Sequence, residues 1–254
     1  MQYREYGRSD KETLILLHGG GLSWWNYREC AEKLQDEYHL ILPVLDGHAG
    51  SDHPFTSIED NAEEIISFID ENLGGSVLLI AGLSLGAQIA LEILAKRQNI
   101  CLYALIESAA VIPSEITNSL IAPAFGSSYG LIQSRTFAKL QFRSLKIKDD
   151  LFEDYYRDTC LIRKEDMIAF MKANTSYALK KETALSKAEI HLFYGEKETG
   201  EIRKSANLIH EKIPSSSLTI LPGFCHGEFS INHPDQYAAA VRSILQSNNP
   251  DSEE

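Results

Sequence analysis

The pentapeptide Gly82-Leu83-Ser84-Leu85-Gly86 carries the clearest chemistry in this chain. It follows the apolar run Val77-Leu78-Leu79-Ile80-Ala81 and precedes Ala87 to Lys96, whose apolar residues have helical spacing. A serine on a sharp turn from buried strand to helix is the nucleophile-elbow pattern G-x-S-x-G. The flanking glycines have a steric reason, because a Cβ at either would meet the neighbouring strand or helix. A serine hydroxyl is a weak nucleophile at neutral pH. It needs a base, usually histidine, and the histidine needs an acid to fix its tautomer and stabilise its charged form. Those partners belong on loops just past two later strands.

Four histidines follow Ser84: His191, His210, His226 and His233. His191 sits inside a strand pattern, His210 on a helix face, and His233 before Pro234 at a helix entry. His226 lies in Gly223-Phe224-Cys225-His226-Gly227, the loop after the last strand, where a base belongs. Glu198, three residues past Gly195 on the loop closing the preceding strand, is the favoured acid. Glu196 and Glu201 are its rivals, and Glu107, at the end of an earlier strand, is a more distant one. Cys225 reads as a filler beside the base rather than a second nucleophile.

The elements around these residues alternate. Gln2 to Tyr6 reads as an edge strand, and Thr13-Leu14-Ile15-Leu16-Leu17 as a strand buried on both faces. The latter ends in His18-Gly19-Gly20-Gly21, whose backbone N–H groups, with that of Leu85, could stabilise an oxyanion. Helix is expected over Tyr27 to Leu34, strand over His39 to Val44, and a helix capped by Thr56 or Ser57 through Asp70. Leu102 to Ser108 is a further strand. This order describes a doubly wound, mostly parallel sheet in an α/β fold.

From about Val111 to Lys187 no strand is expected; Thr136 to Leu145, Asp149 to Thr159 and Lys164 to Tyr177 have helical spacing. The division is therefore a core of 1–110 and 188–254 with a helical cap at 111–187. Of its aromatic and Met residues, Tyr129, Phe137, Phe142, Tyr155, Tyr156, Phe170 and Met171 could wall a pocket, though an insertion core is the expectation for most. Gly21, Trp24, Trp25 and Phe224 are further pocket candidates, the two tryptophans being equally suited to the core. Strands at Glu189 to Tyr194 and Leu218 to Leu221, and helices at Ile202 to Lys212 and Pro234 to Gln246, complete the chain.

A net charge of −12 argues against a nucleic-acid surface and an anionic membrane surface. Part of it lies in Asp251-Ser252-Glu253-Glu254, read as a solvated end. The four cysteines are scattered with no C-x-x-C pair, so neither a zinc site nor a disulfide framework is suggested. No metal or cofactor is implied. With no apolar signal core near Met1, the expected location is cytoplasmic.

Taken together, His18-Gly19-Gly20-Gly21, the Ser84 elbow, Gly195-Glu196-Lys197-Glu198 and the His226 loop resemble the α/β-hydrolase superfamily in order and rough spacing. Asp46-Gly47-His48-Ala49-Gly50-Ser51 also resembles a loop frequent there, with Ala49 in place of a common glycine. The resemblance covers nearly the whole chain. It implies Ser84 as nucleophile, Glu198 as acid in place of the usual aspartate, His226 as base, and Gly20 and Leu85 as oxyanion donors. The expected activity is hydrolysis of a small ester, ahead of an amide or thioester. C–C bond or lactone hydrolysis is an alternative. An amino-terminal peptidase would need an acidic group near the pocket, for which Asp149, Asp150, Glu153 and Asp154 are the cap's candidates. A receptor for a small ligand, without catalysis, is the alternative of another class.

Overall fold

The computed structural model describes residues 1–246; the acidic end Asp251 to Glu254 lies outside them. Seven strands form one sheet in the order β1-β3-β2-β4-β5-β6-β7. They are β1 (Gln2–Tyr6), β2 (Thr13–Leu17), β3 (His39–Val44), β4 (Val77–Leu83), β5 (Cys101–Glu107), β6 (Glu189–Gly195) and β7 (Ser217–Leu221). Only β1 is antiparallel, pairing with β3 at the edge; the other pairings are parallel.

The helices are α1 (Arg28–Leu34), α2 (Ile58–Asn72), α3 (Leu85–Lys96), α4 (Glu115–Ser128), α5 (Arg135–Ser144), α6 (Phe152–Leu161), α7 (Lys164–Ser176), α8 (Gly200–Lys212), α9 (Glu228–Asn232) and α10 (Pro234–Gln246). Helices on both sides explain why the central strands read as continuous apolar runs. In β2, Leu14 and Leu16 enter the core shared with α1 and α10, while Ile15 and Leu17 enter the core shared with α2 and α3. Each of these fully buried side chains contributes about 1.5–3 kcal/mol by transfer from water.

The Ser57 side chain, not Thr56, caps α2 by accepting from Asp60 N–H at 2.9 Å. Helix α1 begins at Arg28, one residue later than expected, because Trp24–Tyr27 forms a 3-10 turn first. Two helices have no counterpart in the sequence reading. In α4 the helical signal is broken by Pro123 inside the helix. The five-residue α9 is too short to show periodicity.

Helices α4 to α7 all fall between β5 and β6. Their apolar residues do not form a core of their own, contrary to expectation. Ile132, Ile162, Met167 and Phe170 join the core on one sheet face, and Ala138, Phe142, Phe152 and Tyr155 the core on the other. Short helices overhanging a sheet edge bury most apolar surface by extending the cores already there. Buried Gln88 on α3 anchors both ends of this stretch, donating to Ala110 O at 2.6 Å and Asn174 O at 2.9 Å. Among the described residues no helix is long and apolar enough to cross a membrane.

Candidate active site

Ser84 stands between β4 and α3 with φ 53° and ψ −109°, a conformation a non-glycine residue rarely adopts. Strain of this kind costs about 1–3 kcal/mol and persists only where surrounding structure enforces it. Here Ser84 N–H donates to Glu107 O at 2.9 Å, and Ser84 O accepts from Gln88 N–H at 3.0 Å. The glycines are obligatory for contact reasons. A Cβ on Gly82 would lie 2.3 Å from Gly86 O, and one on Gly86 2.1 Å from Leu17 O.

His226 and Glu198 meet at the end of the neighbouring strands. His226 Nδ1 lies 2.7 Å from Glu198 Oε2. A carboxylate only accepts, so Nδ1 carries a proton, and in neutral His226 Nε2 is the nitrogen that can receive one. The other oxygen, Glu198 Oε1, accepts from Ser108 Oγ at 2.6 Å and from Gly195 N–H at 2.9 Å. Burial alone would push the Glu198 pKa up; its bonds to His226, Ser108 and Gly195 outweigh that and hold it below the usual carboxylate range. For His226, burial works downward, but the Glu198 hydrogen bond and charge, helped by Glu107, hold its pKa above the ordinary 6.5. The two loops are locked together by main chain. Lys197 N–H donates to Phe224 O at 2.9 Å, and a Cβ on Gly195 would strike that same oxygen at 2.3 Å.

Two of the rival acids are otherwise engaged. Glu196 accepts from Gly223 N–H at 2.8 Å. Glu107 is buried beside the site, accepts from Ser230 N–H at 3.4 Å, and has its pKa raised to about 7, chiefly by burial. Glu201 lines the cavity, and among the described residues it makes no bond to His226.

Two residues of this site carried no role in the sequence reading. Ser108, with φ 59° just past β5, orients Glu198. His48 steers the glycine loop: its Nδ1 donates to Asp46 O at 3.0 Å, and its Nε2 accepts from Gly21 N–H at 3.0 Å. Burial pushes the His48 pKa down to about 4, so it stays a neutral acceptor through the neutral range. It also stacks on Phe170 of α7 at 4.6 Å. The signal for both was position, since each lies just beyond the end of a parallel strand, where ligands gather. Gly20 is beside Leu85, the first residue of α3; a Cβ on Gly20 would be 3.5 Å from Leu85 Cβ.

Ser84 faces a cleft in two halves. One, of about 230 Å³, is lined by Gly20, Gly21 and Leu85 from the core and by Phe125, Tyr155, Met167, Phe170 and Met171 from above. The other, of about 500 Å³, holds Glu198 and His226. Among the described residues no hydrogen bond joins Ser84 Oγ to His226. Trp24, Trp25 and Phe224, candidates for the pocket wall, do not line it. Trp25 is buried and its indole N–H donates to Asp158 at 2.9 Å. Trp24 lies against the guanidinium groups of Arg4 and Arg28, and Phe224 stacks on His233 at 4.3 Å. The acidic cap residues Asp149, Asp150, Glu153 and Asp154 do not line it either; Asp154 pairs with Arg28 and Glu153 with Arg135.

One cluster has the donor types of a metal site. Asp46, His53 and Glu64 bring ligand atoms within 4.8 Å of one another. It lies apart from the Ser84 cleft, and the Met1 ammonium already pairs with Glu64 at 3.0 Å.

Residues 14–199 match the model of the alpha/beta hydrolase family. The chain belongs to that family. A curated relative, an AB hydrolase superfamily protein of Gibberella zeae, is 29% identical over 136 residues, 52% of this chain. The match spans 46% of that relative, so the chain covers about half of its length. Among solved structures, an esterase of Exiguobacterium antarcticum superposes with a TM-score of 0.81 at 17% identity, covering 96% of this chain and 94% of that one. The enol-lactonase of Burkholderia xenovorans gives 0.78 at 16% identity, covering 96% and 95%. At such identities the likeness is one of fold. In this alpha/beta hydrolase the strained serine, the His226–Glu198 pair and the glycine loop gather at one sheet edge.

Proposed function

We propose that this alpha/beta hydrolase cleaves small carboxylic esters through an acyl-enzyme on Ser84. The observation that carries the reading is the His226–Glu198 pair, with Nδ1 on the carboxylate, lining the same cavity as a serine held in a strained turn. His226 takes the Ser84 proton as Oγ attacks the ester carbonyl, the bond between them tightening as substrate settles. Glu198 holds the imidazole tautomer and balances its positive charge. The N–H groups of Gly20 and Leu85 receive the oxyanion, Leu85 from the first turn of α3, where unpaired donors favour negative charge. His226 then protonates the departing alcohol and activates water for deacylation.

An amino-terminal peptidase is disfavoured, because the cap acids that could hold a substrate amine do not line the cleft. A lactone is an internal ester and fits the same chemistry. Four free thiols suit a reducing compartment such as the cytoplasm. The test is a screen of p-nitrophenyl esters of graded chain length beside aminoacyl amides, with fluorophosphonate labelling of the same protein. We expect ester turnover and an adduct on Ser84, both lost in Ser84→Ala. Absence of labelling and turnover would favour a ligand receptor; turnover undiminished in Ser84→Ala would exclude the serine mechanism.

A further inference from the structure

Acyl transfer assigns the two halves of the cleft different parts of a substrate. The leaving oxygen must reach His226 to collect its proton, so the alcohol half of an ester lies on the His226 side. The acyl half then falls to the other side, the space of about 230 Å³ walled by α5, α6 and α7.

The walls of that space differ. On α7 it meets the apolar side chains of Met167, Phe170 and Met171. The polar residues of α7 that reach it are already bonded. Asn174 Nδ2 donates to Gln88 Oε1 at 3.0 Å, and Thr175 Oγ1 donates to Met171 O at 3.1 Å. On α5 and α6 it meets Gln141, Tyr155 and Thr159. Gln141 Oε1 and Thr159 Oγ1 are buried, and among the described residues neither has a hydrogen-bond partner. A threonine inside a helix can bond back to the carbonyl one turn earlier, but Thr159 does not. Tyr155, one turn earlier on α6, brings its hydroxyl near Thr159 without satisfying Thr159 Oγ1.

Buried polar atoms are nearly always paired, so two orphans on one cavity wall call for a partner from outside the chain. The wall sets the chemistry of that partner. Among the described residues, no side chain lining this half is charged. An ionised acyl group would lose its water there with nothing to balance it. Burial pushes the Tyr155 pKa up to about 12, so that hydroxyl stays neutral as well. An amide oxygen only accepts, so the group that meets Gln141 Oε1 must donate. A hydroxyl answers both demands: it is neutral, it donates to Gln141, and it accepts from Thr159 or Tyr155.

We propose that Gln141, Thr159 and Tyr155 form a polar wall that selects esters whose acyl chain carries a hydroxyl group. This rests on the reading of Ser84, His226 and Glu198 as an ester-cleaving triad.

The test compares kcat/KM for p-nitrophenyl 6-hydroxyhexanoate and p-nitrophenyl heptanoate, which differ by a terminal hydroxyl in place of a methyl. A plain apolar pocket prefers heptanoate, because a hydroxyl loses its water on entry. This protein should prefer the hydroxy ester. Gln141→Leu and Thr159→Val should each slow the hydroxy ester and speed heptanoate, lowering the ratio about tenfold, the effect of one hydrogen bond lost in a buried site. Tyr155→Phe should lower it less. A variant that is merely misfolded slows both esters together and leaves the ratio where it was, so the ratio reports selection and not folding. A parent protein that prefers heptanoate overturns the proposal. So does a Gln141→Leu/Thr159→Val double variant that keeps the parent ratio, since the wall then holds only water. In either case turnover of the esters leaves the triad reading standing alone. If neither ester turns over, and a fluorophosphonate leaves Ser84 unmodified, both readings fall together.

Discussion

Around Ser84, position is fixed by main chain: glycines that admit no Cβ, a serine N–H on Glu107 O, a loop N–H on Phe224 O. Between β5 and β6, helices α4 to α7 are held by side chains such as Trp25 on Asp158 and Gln88 on Asn174. In the first region a Cβ on Gly82, Gly86 or Gly195 would strike backbone atoms. The second can change its lining while its anchors stay. On the proposed reading, bond chemistry would belong to the sheet edge and the overhang would shape the acyl side of the cleft. His48 is the junction, with one nitrogen on Gly21 N–H and its ring stacked on Phe170.

Substitutions can sharpen that contrast. The largest effect should come from Glu198→Gln, which leaves His226 without a negative partner and favours the wrong tautomer. We expect kcat to fall about 10³–10⁴-fold. The sign of its pH effect follows from linkage. His226 must be neutral to act as base, so activity is lost as pH falls through its raised pKa, and the acid limb of kcat/KM should lie above 6.5. Removing the Glu198 charge should move that limb to lower pH. Next in size, His48→Leu keeps much of the contact with Phe170 but orphans Gly21 N–H. A displaced oxyanion loop should lower kcat about 10–100-fold, with little change in KM. The smallest effect belongs to the overhang: Phe170→Leu should shift KM and chain-length preference a few-fold, on the order of one buried methylene or two, and leave the acid limb where it was.

How much of this could be read from the chain depends on the same contrast. Main-chain constraints leave sequence marks. Gly82, Gly86 and Gly195 are glycines because a Cβ would collide, so the elbow and the order of strands were legible, and Glu198 stood out by its distance from Gly195. Side-chain anchoring leaves weaker marks. Trp24 and Trp25 lie close in sequence to the glycine loop, yet Trp25 is drawn away by a carboxylate 133 residues later. Ser108 and His48 act through partners 90 and 27 residues distant, separations that no local pattern encodes. Helix α4 was hidden by its internal Pro123, and the merging of the overhang with the sheet cores is a long-range property of packing.

The central claim is that Ser84 becomes covalently acylated. Intact and peptide mass spectrometry of protein acid-quenched during turnover of a p-nitrophenyl ester tests it most directly. The account predicts an acyl mass on the peptide bearing Ser84, preserved because the acid quench protonates His226 and stops deacylation. Steady turnover with no acyl mass at any time, or an acyl mass on Cys225 instead, would contradict it.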